Sequence, residues 1–163
     1  MPHKNLEVIL EALDHPLARD WKLTVVSGES PYLKTIREKA MGKGLVDQME
    51  VKKGIPQKEL KNLYLQAQAL LFPSLYEGFG MPLLEAMTLG CPTIAAKGSA
   101  LWEVGNRVPL YAHPEKGAEW REKMGMVREN PALRRRLGAL GKRRAKDFSW
   151  ERAGRQLKGL ILV

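Results

Sequence analysis

The sequence predicts an α/β protein: a Rossmann-like, doubly wound parallel sheet with helices on both faces and a helical C-terminal tail. Segments whose apolar residues recur at helical spacing alternate with short apolar runs, which is typical of parallel strands connected by helices. After Pro114 the pattern is helical throughout. The 163 residues are enough for one domain with a buried core, so we expect a single domain over 1–163.

The first half of the chain is expected to alternate helices with strands. Asn5 is placed to cap the first helix, because asparagine is favoured at that position. Gly42 and Gly44 would end the second helix, since glycine readily adopts the left-handed conformation found there. The expected elements are a helix over 5–13, a strand over 22–26, a helix over 31–41, a strand over 50–53, a helix over 57–66 and a strand over 69–72.

The second half continues the alternation and ends in helices. Pro82 can begin a helix because proline loses no hydrogen bond at the first position, and Gly90 would follow the end of that helix. We interpret the segment from Ser99 to Glu103 as a turn. The expected elements are a helix over 82–89, strands over 93–96 and 108–112, and helices over 116–129, 131–146 and 150–161.

The chain opens on a helix, whereas a doubly wound fold of this kind begins with a strand. We therefore expect either that the first strand is absent or that Met1 is not the natural start, and we suspect a truncated chain.

The net charge of +9 favours anionic partners. Much of the excess lies in one C-terminal stretch, which we interpret as a solvated helix face, with a peripheral membrane contact as the alternative. The stretch has no interleaved aromatic residues for base stacking, so we expect no nucleic-acid partner. Its basic residues are Arg134, Arg135, Arg136, Lys142, Arg143, Arg144 and Lys146.

The sequence shows no sign of secretion or of a membrane span. The N-terminus lacks a signal-peptide pattern, and no window approaches the roughly 20 apolar residues of a spanning helix. The single cysteine, Cys91, excludes an internal disulfide, and we interpret it as a small buried residue. We predict a cytoplasmic protein, with a peripheral position at the inner membrane face as the alternative.

The segment 73–92, PSLYEGFGMPLLEAMTLGCP, carries the strongest functional signal. It predicts a strand end, a turn bracketed by glycines and a helix N-terminus, at the sheet edge where ligands of open α/β proteins bind. Gly78 and Gly80 would let the backbone approach a ligand, and the helix N-terminus offers amides for a phosphate or for sugar hydroxyls. Glu77 and Glu85 bracket the turn, with seven residues between them.

This segment resembles the E-x7-E signature of the GT-B-type, family four retaining glycosyltransferases, the group 1 glycosyl transferases. Further landmarks of that family follow in the same order over nearly the whole chain. The resemblance implies the C-terminal, nucleotide-sugar-binding half of a GT-B fold. The other matching segments are Pro2-His3-Lys4-Asn5, Val26-Ser27-Gly28, Gly54 with Gln57 to Tyr64, Ser99 to Val104, and Asp147-Phe148-Ser149-Trp150.

The resemblance also implies roles for individual residues. Glu85 would accept hydrogen bonds from the ribose hydroxyls, and Glu77 would help to position the transferred sugar. Lys4 would lie against the diphosphate and balance the charge that grows on the leaving group, so that Glu77 and Lys4 are the catalytic candidates. The remaining donor-binding candidates are Gly78, Phe79, Gly80, Met81, Leu84, Gly54, Ile55, Gly28 and Ser99.

The chemistry that the resemblance implies is retaining transfer of a hexose. Breaking the bond between the sugar and the phosphate gives an oxocarbenium-like transition state and an anionic leaving group, which a lysine and backbone amides can stabilise. The sequence has no Asp-x-Asp pair, so a metal-dependent diphosphate site is not indicated. We expect no cofactor and no metal.

The acceptor side is expected to be missing. In the GT-B arrangement a separate N-terminal domain binds the acceptor, so we expect this chain to bind the donor without transferring sugar alone. The alternatives are a stand-alone subunit that needs a separate acceptor-domain partner, and a module that binds a nucleotide sugar without chemistry. The base, the sugar, the acceptor and the oligomeric state stay open.

Overall fold

Five short strands alternate with α-helices along residues 2–98 and 100–161, which are the residues that the computed structural model describes. The predicted α/β class is confirmed, and three elements, those over 57–66, 93–96 and 150–161, have the predicted bounds. The elements are α1 (Leu6–Leu13), β1 (Leu23–Val26), α2 (Pro31–Gly42), β2 (Met49–Lys52), α3 (Gln57–Gln66), β3 (Leu70–Phe72), α4 (Met81–Leu89), β4 (Thr93–Ala96), α5 (Ala100–Gly105), β5 (Leu110–Ala112), α6 (Gly117–Glu129), α7 (Pro131–Ala145) and α8 (Trp150–Ile161).

The strands form two hydrogen-bonded groups. β1 pairs with β2, with Leu23 opposite Met49, and β4 lies between β3 and β5; every pairing is parallel. β4 is buried along its whole length, as expected of a central strand covered on both faces. The sequence predicted one sheet, but within the described residues β1 and β3 are not paired. Pairing depends on which strand edges meet in space, and the alternation along the sequence does not record this.

Two clusters of buried apolar side chains hold the helices against the strands. The larger cluster surrounds α1 and includes Ile9, Ile94 and Trp120, which are fully buried. The smaller cluster joins α4 and α5 to β3 and β4. Its buried members are Phe72, Leu83, Met87, Ala95, Leu101, Val104 and Ala145.

Helix α7 packs closely against α4. A Cβ atom at Gly138 would lie 2.4 Å from the carbonyl oxygen of Gly90, which is too close for any larger residue without a shift of the backbone. Gly90 ends α4 in a left-handed conformation with φ 77°, as the sequence predicted. Cys91 follows and is 4% exposed, which confirms its interpretation as a buried residue.

Two local predictions are wrong. Residues Ala100–Gly105 form the short helix α5 rather than a continued turn. Asn5 precedes α1 in a left-handed conformation and makes no side-chain cap. A cap would have used the amide oxygen as acceptor. The amide nitrogen donates to the carbonyl oxygens of Pro73 and Pro114, and these tertiary hydrogen bonds fix the orientation of the whole amide.

The last helix, α8, projects its described side chains into solvent. Trp150 is 89% exposed and Leu157 58%. Within residues 2–98 and 100–161, no helix has the length and apolar character needed to cross a membrane.

Candidate functional site

The predicted glycine turn lies at the carboxyl end of β3 and leads into α4. Gly80 has φ 91°, a left-handed conformation that glycine adopts without strain. A Cβ atom at this position would lie 2.7 Å from Cδ2 of Leu101, in α5. The close approach of the turn to α5 therefore requires glycine at its last position.

The N-terminus of α4 presents open hydrogen-bond donors. Within the described parts of the chain, the backbone amides of Phe79, Gly80 and Met81 have no hydrogen-bond acceptor. The next amides are used, because those of Leu83 and Leu84 donate to the carbonyl oxygen of Gly80 at 2.9 and 3.3 Å. The positive end of the helix dipole adds to the attraction of this region for an anion.

Lys4 and Glu77 meet beside the turn. The distance from Lys4 Nζ to Glu77 Oε1 is 2.6 Å, and the ammonium also lies 5.7 Å from the centroid of the Phe72 ring. The Glu77 side chain is 15% exposed and that of Lys4 39%. The pair is thus partly shielded from water, although a ligand can still reach the lysine.

Backbone contacts hold the segment that carries Lys4. The amide of Leu75 donates to the carbonyl oxygen of His3 at 2.8 Å. Asn5 Nδ2 donates to the carbonyl oxygens of Pro73 at 3.2 Å and Pro114 at 2.7 Å. These hydrogen bonds connect residues 2–5 to the loops that follow β3 and β5. They therefore fix the backbone from which the Lys4 side chain extends.

The pKa of Glu77 is held below its usual value. Burial opposes ionisation, but the hydrogen bond and the positive charge of Lys4 outweigh it. The Ser74 hydroxyl lies near this carboxylate, yet it reaches no hydrogen-bond partner among the described residues. We therefore assign the lowered pKa chiefly to Lys4.

Glu85 lies in the first turns of α4 and is contacted by α3. Tyr64 Oη donates a hydrogen bond to Glu85 Oε2 at 3.1 Å, and both side chains are half-buried. Burial first, and then the charge and hydrogen bond of Glu85, raise the pKa of the Tyr64 phenol. No role for Tyr64 was predicted from the sequence. Its contact with Glu85 joins residues 21 positions apart, so no local sequence pattern indicates it.

Phe79, in the turn, packs against Phe148, which lies between α7 and α8. Its ring meets that of Phe148 edge to face, with 5.8 Å between the centroids. Arg144 lies 4.7 Å from the Phe148 centroid and donates to the carbonyl oxygens of Glu103 and Val104 at 2.6 and 3.0 Å. Arg144 is therefore not part of a solvated face, as we predicted for its basic stretch, but joins α7 to α5.

Three further predicted residues lie at the carboxyl edge of the β1–β2 pair. Gly28 follows β1, and Gly54 and Ile55 follow β2. Gly54 has φ 58°, which favours glycine. The two strands are tied at this end by a hydrogen bond from the amide of Ser27 to the carbonyl oxygen of Lys52.

The other predicted residues belong to the turn and to α4. Gly78 lies in the turn with open space around it. Met81 is 54% exposed, and Leu84 packs half-buried on the smaller core cluster. Ser99 lies outside the described residues.

The arrangement offers one ammonium group, two carboxylates and three open amides at one end of β3. An ammonium and amides bind anionic oxygens, whereas carboxylates accept hydrogen bonds from hydroxyls. Among residues 2–98 and 100–161, no three His, Cys, Asp or Glu side chains are grouped to hold a metal ion. The chemistry of these groups suits a ligand that combines phosphates with a polyol.

A depression of about 250 Å³ lies away from this turn, between α2 and β2. It is at the amino end of β2, whereas ligands of open parallel sheets bind at the carboxyl ends. We therefore assign it no part in the site. Its lining residues are Arg37, Ala40, Met41, Val46, Met49 and Val51.

Known proteins resemble this chain in both sequence and fold. An MMP alpha-(1->4)-mannosyltransferase from Mycolicibacterium hassiacum is 33% identical over 162 residues, which are 96% of this chain and 39% of that protein. Sucrose-phosphate synthase from Thermosynechococcus elongatus matches 98% of this chain and 42% of its own, at 25% identity and a TM-score of 0.88. The C-terminal domain of a group 1 family glycosyl transferase from Francisella tularensis matches with a TM-score of 0.75 at 23% identity, over 90% of this chain and 80% of that one.

The chain thus spans about two fifths of the length of curated relatives that it matches, 39% and 40% in two of them. It has the α/β fold of GT-B glycosyltransferases. The family model described as "Glycosyl transferases group 1" matches residues 1–144, and the resemblance stated from the sequence is confirmed: the chain belongs to the group 1 glycosyl transferases.

Proposed function

We propose that this chain is the donor-binding part of a retaining glycosyltransferase, which transfers a hexose from a nucleoside-diphosphate sugar to a glycan, lipid or other acceptor. The observation that carries the proposal is the grouping of Lys4, Glu77, Glu85 and the open amides of Phe79 to Met81 around one turn. A nucleoside-diphosphate sugar has hydroxyls at both ends and two phosphates between them. The site offers acceptors and donors for both.

Each group has a stated task in this proposal. Lys4 and the N-terminus of α4 bind the diphosphate and stabilise its negative charge as the bond to the sugar breaks. Glu85 accepts hydrogen bonds from the ribose hydroxyls, and Glu77 positions the transferred hexose. We propose that these groups act without a metal ion, in keeping with the absence of an Asp-x-Asp pair from the sequence.

The remaining donor contacts follow from the same placement. We propose that the backbone at Gly54 and Ile55 meets the base, and that Leu84 packs near the ribose. Gly28, Gly78 and Ser99 complete the list of expected contacts. The identities of the base and the sugar are left to experiment.

We infer that the isolated chain binds a donor but does not turn it over. The chain spans 39% of the mannosyltransferase that it matches, and transfer also requires a surface that holds the acceptor. An N-terminal acceptor domain or a separate acceptor subunit would supply that surface. Robust transfer by the isolated chain would contradict this inference.

The test is calorimetric titration of the chain with UDP, GDP and ADP, beside Glu85→Gln. We expect saturable binding of one nucleotide, weakened roughly 10- to 100-fold in the variant, because a hydrogen bond to a charged carboxylate is lost. Glu38→Gln, an exposed glutamate on α2, is the matched control and should bind as the parent does. Absence of binding for all three nucleotides would contradict the proposal.

A further inference from the structure

Tyr64, in α3, donates a hydrogen bond to a carboxylate of the proposed donor site, that of Glu85 in the neighbouring helix α4. It lies in the last turn of α3, and its hydroxyl reaches Oε2 of Glu85 in α4 at 3.1 Å. Its ring is half-buried between the two helices. The contact fixes the position of one of the two carboxylate oxygens.

The other oxygen, Oε1 of Glu85, has no hydrogen-bond donor within residues 2–98 and 100–161. A carboxylate has about four acceptor positions, so a single phenol leaves most of its capacity for a ligand. A long side chain that is held at one oxygen loses less conformational freedom when a ligand binds to the other. Tyr64 can thus prepare Glu85 for binding without contacting the ligand.

The phenol is a dependable donor. Burial, together with the adjacent carboxylate, raises the pKa of Tyr64, so the hydroxyl keeps its proton across the range in which proteins of this kind are assayed. The carboxylate has the complementary role, since it can only accept. The direction of the hydrogen bond is therefore fixed.

We propose that Tyr64 is a positioning residue for ribose recognition: it orients the Glu85 carboxylate so that Oε1 accepts a hydrogen bond from the ribose 2′-hydroxyl, the group that deoxyribose lacks. The inference rests on the proposed donor site. It adds to that site the residue that determines its preference for ribose over deoxyribose.

A purely structural tyrosine would behave differently. Tyr64→Phe keeps the ring that packs between α3 and α4 and removes only the hydroxyl. If packing were the whole role, the variant would change the affinity for ribose and deoxyribose nucleotides equally or not at all. If the hydroxyl orients Glu85, the ribose nucleotide alone loses affinity.

The experiment titrates the parent chain and Tyr64→Phe with UDP, GDP and ADP and with their deoxyribose counterparts. We expect the parent to prefer ribose about tenfold or more and the variant to lose about 3- to 10-fold of that preference. In a Glu85→Gln background, Tyr64→Phe should cause no further loss, because the two residues act as a unit. The ratio of the two dissociation constants is the readout, since it is insensitive to a general loss of folded protein.

Tyr32→Phe is the matched control. Tyr32 also donates its hydroxyl to a glutamate, Glu7, at 2.5 Å, but in a different part of the chain. This variant should keep the full preference for ribose. An unchanged preference in Tyr64→Phe would overturn the inference and leave the donor site standing, whereas a parent chain that binds no nucleotide would overturn both.

Discussion

Lys4 and Glu77 form an ion pair at the centre of the proposed donor site. The ammonium is bound to the carboxylate at 2.6 Å, and the proposed diphosphate would compete with Glu77 for it. A lysine ammonium has three hydrogen-bond donors and behaves as a point charge without a fixed geometry of recognition. It can therefore bind either the Glu77 carboxylate or the diphosphate. The two residues should therefore respond in opposite ways to removal of their charge.

We expect Lys4→Gln to weaken binding of a nucleoside diphosphate by about tenfold, because a charge-assisted contact to the phosphates is lost. Glu77→Gln should leave that affinity unchanged or increase it, since it frees Lys4 and removes a negative charge beside the diphosphate. Calorimetry on the two variants measures both effects. Equal weakening in the two variants would show that the ion pair supports the shape of the site rather than competing for the ligand.

The turn after β3 and the helix that follows it were predicted from local signals. Glycine and proline stand within a few residues of one another there, and their conformational preferences are local properties. Tyr64 and Phe148 were assigned no role and Arg144 was placed on a solvated face, because their contacts join elements distant in the chain. Asn5 shows the opposite error, in which a local preference for capping yields to two tertiary hydrogen bonds.

At the scale of elements, α4 carries the proposed site residue Glu85, and α7 packs against α4. The two helices approach at Gly138, where a Cβ atom would meet the carbonyl oxygen of Gly90. Any residue other than glycine would push α7 away from the helix that carries Glu85. The contact thus links the basic C-terminal stretch to the position of a proposed ligand-binding residue.

Gly138→Ala should lower the melting temperature by roughly 3 to 10 °C, because the added methyl group overlaps backbone. The matched control is Gly125→Ala in α6, where a Cβ atom meets nothing within 4 Å. That variant should gain about 1 to 3 °C, since alanine favours helix over glycine. Thermal unfolding followed by circular dichroism compares the two. A melting temperature for Gly138→Ala at or above that of Gly125→Ala would contradict the packing described for α4 and α7.

The boundaries of α3, β4 and α8 were predicted to the residue. Helix α5 was missed because it is only six residues long, too short for an apolar repeat that would distinguish it from a turn. Short elements depend on what they pack against. Here the support comes from the smaller core cluster, which includes Leu101 and Val104.

At the scale of the molecule, the strands form a pair, β1–β2, and a trio, β3–β4–β5. The sequence predicted parallel strands connected by helices, and every pairing is parallel. The grouping into a pair and a trio was not predicted, because the order of elements along the chain does not record which strand edges meet.

Other statements about the whole molecule stay predictions. They are the cytoplasmic location, the alternative of a peripheral contact at the inner membrane face, and the acceptor domain or subunit. The alternation of elements sufficed to predict the fold class.

Chemical labelling of the single thiol, that of Cys91, can measure how often the structure around it opens. Cys91 is 4% exposed, and burial raises its pKa to about 11, so on the order of one thiol in a thousand is ionised at pH 8. We expect iodoacetamide to label the native chain only as fast as the α4–β4 junction opens. Gly138→Ala should speed labelling, and a bound nucleoside diphosphate should slow it. Labelling as fast as in denaturant would show that the junction is already open, whereas slow labelling would allow donor binding to be followed as protection of one sulfur atom.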